Sequence, residues 1–339
     1  MKKLKIFYFS GTGNAKQIAS WFSEAARKRG MEVQTANIGK LNKSKTEMPP
    51  FEFSDELIVI ISPIHGFNYP HITLKFINRL PKGSNRVVLM NTRAGLKIGN
   101  WVTWGLSGAA FFCSSWVLRR KGYKIVGQIP FDMPSNWIST HPALTDKASK
   151  FIHEKNRQRV EKHAELIFSE KKDFLARREL AQDILIFPIA LAYYFFGRFL
   201  FAKSFYATNA CDNCGICERE CPVQAIQNSE HLPFWTYKCE SCMKCMNVCP
   251  KRAIETTHGL WVVLTVSSFI LSALFAKLLS LSGWADTLLW NVIFFVLFFA
   301  LYKIQYIFLK NKWVGGWIAL TSLTHYKFWG RYYSNKKRR

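Results

Sequence analysis

Acidic residues are scarce: the 339-residue chain carries 22 Asp and Glu against 47 Lys and Arg, a formal net charge of +25. Such an excess suits anionic lipid, nucleic acid or an acidic protein partner. Nucleic acid is set aside, because the chain has no zinc-finger Cys/His pattern, no RNA-binding aromatic signature and no basic heptad region. The eight histidines are scattered, with no metal-ligand pair on a helix and no nucleophile partner, so no catalytic residue is assigned. The N-terminus, with an apolar run of only four residues, is expected to be a strand and not a secretory leader. The first domain is therefore expected in the cytoplasm, where thiols stay reduced and available for metal. Outside residues 211–249 cysteine is limited to Cys113, which lies in the apolar run 109–113 and is expected to be a small buried hydrophobe.

What the chain has in quantity is apolar and aromatic residues: 49% hydrophobic, with 28 Phe, 12 Trp and 12 Tyr, concentrated in the second half. That distribution points to a membrane. The length allows two or three domains. In the first part, strands are predicted at 4–9, 57–62, 87–91 and 125–129 with helical stretches between several of them, the first helix running from Ala15 to Lys28. Alternation of this kind implies an α/β domain, a doubly wound parallel sheet with its ligand site at the carboxyl ends of the strands. Between the first strand and helix stands Ser10-Gly11-Thr12-Gly13-Asn14. Small residues let backbone N–H groups approach a phosphate, two hydroxyls can donate, and the helix offers its positive end. A capped turn with no ligand would use the same residues, with Thr12 or Asn14 as cap. The loop is not a dinucleotide fingerprint, since Lys16 stands where a third glycine belongs.

Strand followed by Ser-Gly-Thr-Gly-Asn resembles the flavodoxins, whose corresponding loop wraps the phosphate of FMN. The resemblance implies that Pro63, Ile64, His65, Gly66 and Phe67, together with Asn91, Thr92, Arg93 and Gly95, border the isoalloxazine ring; His65 and Phe67 have flat faces suited to stacking. Ala15 departs from the family, which usually has Thr or Ser there, so one hydroxyl contact to the phosphate is missing.

The most specific pattern is Cys211-x-x-Cys214-x-x-Cys217-x-x-x-Cys221-Pro222, repeated 28 residues later as Cys239, Cys242, Cys245, Cys249 and Pro250. The repeat extends to Ala225-Ile226 and Ala253-Ile254, so the unit is duplicated. In such runs three thiolates wrap one [4Fe-4S] cluster and the fourth ligates the other. This pairs Cys211, Cys214 and Cys217 with Cys249, and Cys239, Cys242 and Cys245 with Cys221. Structural zinc uses paired knuckles with a longer gap and fits less well. Residues 208–256 resemble the bacterial two-cluster ferredoxins.

Residues 261–282 and 287–309 are long enough to span a bilayer, and Lys251, Arg252, Lys310 and Lys312 flank this hairpin on one side only. Both its ends are therefore expected on the cytoplasmic side. Residues 145–207 are predicted to be a helical linker whose apolar part, 184–202, carries Pro188 and Arg198 and is expected to lie at the interface rather than to cross. Residues 310–339 are expected to form a basic aromatic tail.

Taken together, the expectation is a flavodoxin-like domain (1–144), a two-cluster ferredoxin-like domain (208–256) and a transmembrane hairpin (260–309). Such a chain passes electrons between two [4Fe-4S] clusters, FMN and a redox partner protein or small acceptor. One alternative is a flavin-dependent reductase of a small molecule or quinone with the clusters as electron inlet. Another is a membrane scaffold whose flavodoxin-like domain holds no cofactor.

Overall fold

The computed structural model describes residues 3–44, 56–228, 232–280, 282–309 and 311–331. Five strands form a parallel sheet: β1 (Lys3–Tyr8), β2 (Glu32–Asn37), β3 (Glu56–Pro63), β4 (Arg86–Gly95) and, after a small hairpin of β5 (Lys97–Ile98) and β6 (Trp101–Val102), β7 (Lys124–Pro134). They lie in the order β2-β1-β3-β4-β7. Numbered within the sheet this is 2-1-3-4-5, the order of the flavodoxin-like fold, and it places the switch point between β1 and β3. The central β3 is buried on both faces from Leu57 to Ile61, which is why it reads as an unbroken apolar run. β2 is the strand that hydrophobic pattern did not predict: it lies at the sheet edge, largely exposed, and carries Glu32, Gln34 and Thr35.

Helices cover both faces. α1 (Asn14–Arg27) buries Ile18, Ala19, Phe22 and Ala26 against β1 and β3; α2 (Ile38–Ser44), α3 (His71–Arg79) and α4 (Ala110–Arg120) complete the layers. α5 (Asp146–Phe168) corrects the boundary expected at residue 145. Its Val160, Ala164 and Ile167 join the same core as Phe22 and Val88, and Thr145 caps it by accepting from the Ala148 amide at 3.2 Å. It is a layer of the first module, and its charged residues are the solvent face of an amphipathic helix.

The cysteine-rich module has internal symmetry. β8 (Phe205–Ala207) pairs with β11 (Ile254–Thr256), and β9 (Ile226–Asn228) pairs with β10 (Pro233–Trp235), both antiparallel. Between them lie α8 (Ile216–Glu220) and α9 (Lys244–Val248). Left-handed residues recur in register with the sequence repeat: Asn213 and Ser241, Gly215 and Met243, Gln224 and Arg252. The duplication therefore extends to the backbone.

Three helical segments are long and apolar enough to cross a membrane: Leu175–Ala202, His258–Leu278 and Trp284–Phe308. The first comprises a 3-10 turn at Leu175–Glu179, α6 (Leu180–Ala192), a π turn at Tyr193–Gly197 and α7 (Arg198–Ala202). The others, α10 (His258–Leu278) and α11 (Trp284–Phe308), pack as a hairpin that buries Ser268 and Ser272 of α10 and Phe298 and Tyr302 of α11, with the Trp261 and Phe298 rings 5.4 Å apart. The hairpin begins directly after β11 and ends at Leu309, which lies in the core of the cysteine-rich module, so both its ends meet that module.

The C-terminal segment is not a free tail up to Arg331. After α12 (Lys312–Leu320), Thr324 Oγ1 accepts from the Thr256 amide at 2.9 Å, and the Trp329 indole donates to the Ile138 carbonyl at 2.6 Å. These bonds strap the two modules together. The remainder of the expected tail, 332–339, lies outside the described residues.

Candidate functional site

The eight cysteines group in space as two sets of four, each drawing its fourth member from the other run. Burial raises the Cys217 thiol to about 11, and its thiolate neighbours are Cys211, Cys249 and Cys214. Burial likewise raises Cys242 to about 12, with Cys221 as its main thiolate neighbour; Cys245 is raised by burial and by Cys239, Cys242 and Cys221. Thiols held this close away from water resist ionising unless a cation offsets their charge. No three His, Cys, Asp or Glu side chains among the described residues are close enough to hold a single metal ion. Two crossed sets of four thiols are the ligand arrangement of a two-cluster iron–sulfur unit, whereas structural zinc uses paired knuckles.

Backbone amides point at the sulfurs. Ala225 donates to Cys221 Sγ at 3.2 Å, Ala253 to Cys249 Sγ at 3.3 Å and Ser241 to Cys239 Sγ at 3.4 Å. The left-handed residues turn the chain so that these N–H groups face inward, where they tune cluster potential. The sets differ in exposure. Cys214 is exposed and its set lines a surface groove with Pro250 and Ile254, whereas Cys221 is buried and its set faces the first module. Lys203, buried with its ammonium 4.0 Å from the Phe234 ring centre, adds a positive charge close to Cys239.

The three loops singled out in the first module meet at the carboxyl edge of the sheet. Gly13 adopts φ 109°, its amide donates to Ser10 Oγ at 3.1 Å, and it, not Thr12 or Asn14, occupies the cap position of α1. The amides of Gly11 and Thr12 have no intramolecular acceptor among the described residues, which leaves them for an anion. Asn14 Nδ2 donates to the Pro134 carbonyl at 2.9 Å, and Asn136 donates to the Thr12 hydroxyl. Next to this loop, Ile64 donates to the Thr92 carbonyl at 2.9 Å and Phe67, left-handed, accepts from the Ala109 amide at 2.9 Å. Asn91 donates to Ser107 Oγ at 3.1 Å, while its Oδ1 and the His65 Nδ1 are buried with no partner among the described residues. Burial lowers His65 to about 4, so its ring is neutral. Pro63 follows the buried run of β3, and Gly66 lies under the Tyr193 ring, where a Cβ would come within 1.9 Å of ring carbon.

Arg93 is placed differently. Its guanidinium binds Asp132 at 2.6 Å and Glu179, and these carboxylates hold it charged against the cost of burial. Gly95 packs against the Asp132 carbonyl behind it. The fold also recruits Asn136, Trp137 and Tyr193, which no local motif announced; Tyr193 and Trp137 meet at 6.2 Å.

The two candidate sites share a seam. A Cβ on Gly11 would lie 2.2 Å from the Cys242 carbonyl oxygen, so the loop after β1 and the second cysteine set touch through backbone. Glu240, between Cys239 and Cys242, reaches across to accept from the amides of His71 at 3.1 Å and Ile72 at 2.9 Å, the start of α3. Its carboxyl is buried, which pushes it up to about 7, and the His65 imidazole bonds to its backbone. Each of these bonds contributes about 0.5–3 kcal/mol, the upper end when the carboxyl is ionised. Glu240→Ala is therefore expected to loosen the seam and lower the thermal midpoint of the solubilised protein by about 2–4 °C or more, with iron content unchanged. A melt of the variant beside the unmodified protein would read this; an unaltered midpoint would remove Glu240 from the seam.

With this geometry in place, known proteins can be compared. Residues 210–254 match the family model of the 4Fe-4S dicluster domain. They form an iron–sulfur domain. No curated protein matches the chain. Among solved structures, rubredoxin oxygen:oxidoreductase from Desulfovibrio gigas is 14% identical over 49% of this chain and 36% of that one, with TM-score 0.30. The Megasphaera elsdenii flavodoxin is 18% identical over 46% and 98%, with TM-score 0.27. A flavodoxin from the domain Archaea is 16% identical over 48% and 99%, with TM-score 0.27. This chain thus spans about a third of the oxidoreductase, and its flavodoxin-like assignment rests on strand order. The dicluster domain makes the chain a redox protein of the electron-transfer kind.

Proposed function

We propose that this is a membrane-anchored electron-transfer protein in which FMN in the flavodoxin-like module exchanges electrons with two [4Fe-4S] clusters of the dicluster domain. The observation that carries this reading is the seam: Gly11 of the phosphate loop abuts the carbonyl of Cys242, a cluster ligand in this assignment. FMN would convert electron pairs to single electrons, and the clusters would carry the single electrons. The chain's own residues set the rest. Gly11 and Thr12 offer amides to the phosphate, His65 presents a neutral ring edge, and Glu240 with His71 and Ile72 holds the distance between modules.

The order of the relay follows from burial. The set Cys239, Cys242, Cys245 and Cys221 faces the flavin loops, and the set Cys211, Cys214, Cys217 and Cys249 opens to solvent, where a partner protein can dock. Direct contact between the modules also supports a helix Leu175–Ala202 that lies along the membrane surface. A crossing there would put the modules on opposite faces and break the Glu240 bonds.

Anaerobic purification in detergent, with iron, acid-labile sulfide and flavin measured against protein, tests the proposal. About eight iron per chain is expected from two cubanes, with one FMN. Eight iron without flavin, and no uptake of added FMN, would reduce the first module to a docking platform. Zinc in place of iron would overturn the reading altogether.

A further inference from the structure

Beside the flavin loops, between α4 and α6, lies an open cavity of about 950 Å³ that the electron-transfer reading does not use. Its walls are apolar and unusually bare: Phe112 is 65% exposed, Trp116 55% and Ile184 65%. Phe112 and Phe187 meet edge to face at 6.4 Å and mark the end of the cavity near α6. The other end is cationic. Arg119 and Arg120 stand in the last turn of α4, about 10 Å further along that helix at 1.5 Å per residue. Arg177 joins them on the cavity wall and folds back over the Phe174 ring, its guanidinium carbon 4.2 Å from the centroid, and Arg120 stacks on Trp116 at 4.7 Å. None of these three arginines forms an ion pair with a described carboxylate. The one acid on the wall, Asp183, accepts from the Gly108 amide at 2.7 Å.

We propose that this cavity binds an anionic phospholipid of the bilayer, with its phosphate on Arg119, Arg120 and Arg177 and an acyl chain along Phe112, Trp116 and Ile184. Polarity decides the occupant: an apolar trough closed at one end by three guanidiniums with no carboxylate partner among the described residues complements an amphiphile with an anionic head. Its apolar end is continuous with the outer face of Leu175–Ala202, a segment apolar enough for a membrane and almost wholly unburied by protein. The lipid would thus hold the flavodoxin-like module, and not only the hairpin, against the bilayer. The inference rests on the membrane association proposed above but not on the cofactors.

The test is native mass spectrometry of the full-length, detergent-purified protein titrated with dioleoylphosphatidylglycerol or dioleoylphosphatidylcholine. The unmodified protein is expected to bind at least one phosphatidylglycerol about tenfold more tightly than phosphatidylcholine. The combined variant Arg119→Gln, Arg120→Gln, Arg177→Gln is expected to lose that preference. Removing equal charge at Lys147, Lys150 and Lys162 on α5 is expected to leave it intact. All the substituted side chains are exposed, and unchanged iron content certifies the fold. Ile184→Asn is expected to weaken both lipids. An equal response to the two lipids, an unchanged preference in the arginine variant, the same loss in the lysine variant, or full competition by glycerol phosphate without acyl chains would each overturn the proposal. Iron and flavin counts report on the relay separately, so the two failures are distinguishable.

Discussion

Replacing Cys221 with Ala is expected to remove the cluster bounded by Cys239, Cys242 and Cys245, not the one bounded by its own sequence neighbours Cys211, Cys214 and Cys217. The reason is spatial: the thiolate neighbours of Cys242 and Cys245 include Cys221, whereas those of Cys217 include Cys249. Iron should fall from about eight to about four per chain, or by a single iron if a three-iron cluster survives. The EPR spectrum of the reduced variant should match that of Cys242→Ala and differ from that of Cys217→Ala. In the proposed relay, electron exchange with FMN should fail as well, because the set nearest the Ser10–Asn14 loop is the one lost. A Cys221→Ala spectrum that matched Cys217→Ala instead would break the crossed assignment.

The second large effect concerns Arg93. Its side chain is 2% exposed and that of Asp132 is 3%, and together with Glu179 they form a buried charge network. Arg93→Met leaves those carboxylates without their main cation, a change that destabilises a buried pair by about 3–5 kcal/mol. Arg159, 3.4 Å from the other Asp132 oxygen, offsets part of the loss. Arg93→Lys should recover little, since one ammonium cannot serve both carboxylates in place of a planar fork. In the FMN-bound protein proposed above, thermal release of flavin reads the loss as a lowered midpoint with near-normal FMN affinity at low temperature. The opposite pattern, weak FMN binding at an unaltered midpoint, would return Arg93 to the ring-bordering role that the flavodoxin resemblance implies.

These two cases mark where sequence reasoning reached and where it stopped. Cysteine spacing repeats because each cubane needs thiolates at fixed intervals on a tight turn, and the same turns recur as left-handed residues in both halves. The central strands were legible because burial on both faces demands continuous apolar residues, while β2 was not, because an edge strand half in water can be polar. α5 reads as a connector in the sequence because its charged face dominates its composition. The few apolar positions at Val160, Ala164 and Ile167 were enough to seat it in the core.

By itself the sequence determined the elements whose physics is local: a small-residue loop before a helix, two cysteine runs, and stretches of chain too apolar and too long for water. The tertiary structure alone decided what those elements face. It brought Glu240 to the start of α3 and Gly11 to Cys242, it turned Arg93 away to Asp132 and Glu179, and it laid Tyr193 over Gly66. Each of these is a contact between residues far apart in the chain, set by how whole faces pack, and no periodicity or spacing within one segment encodes it.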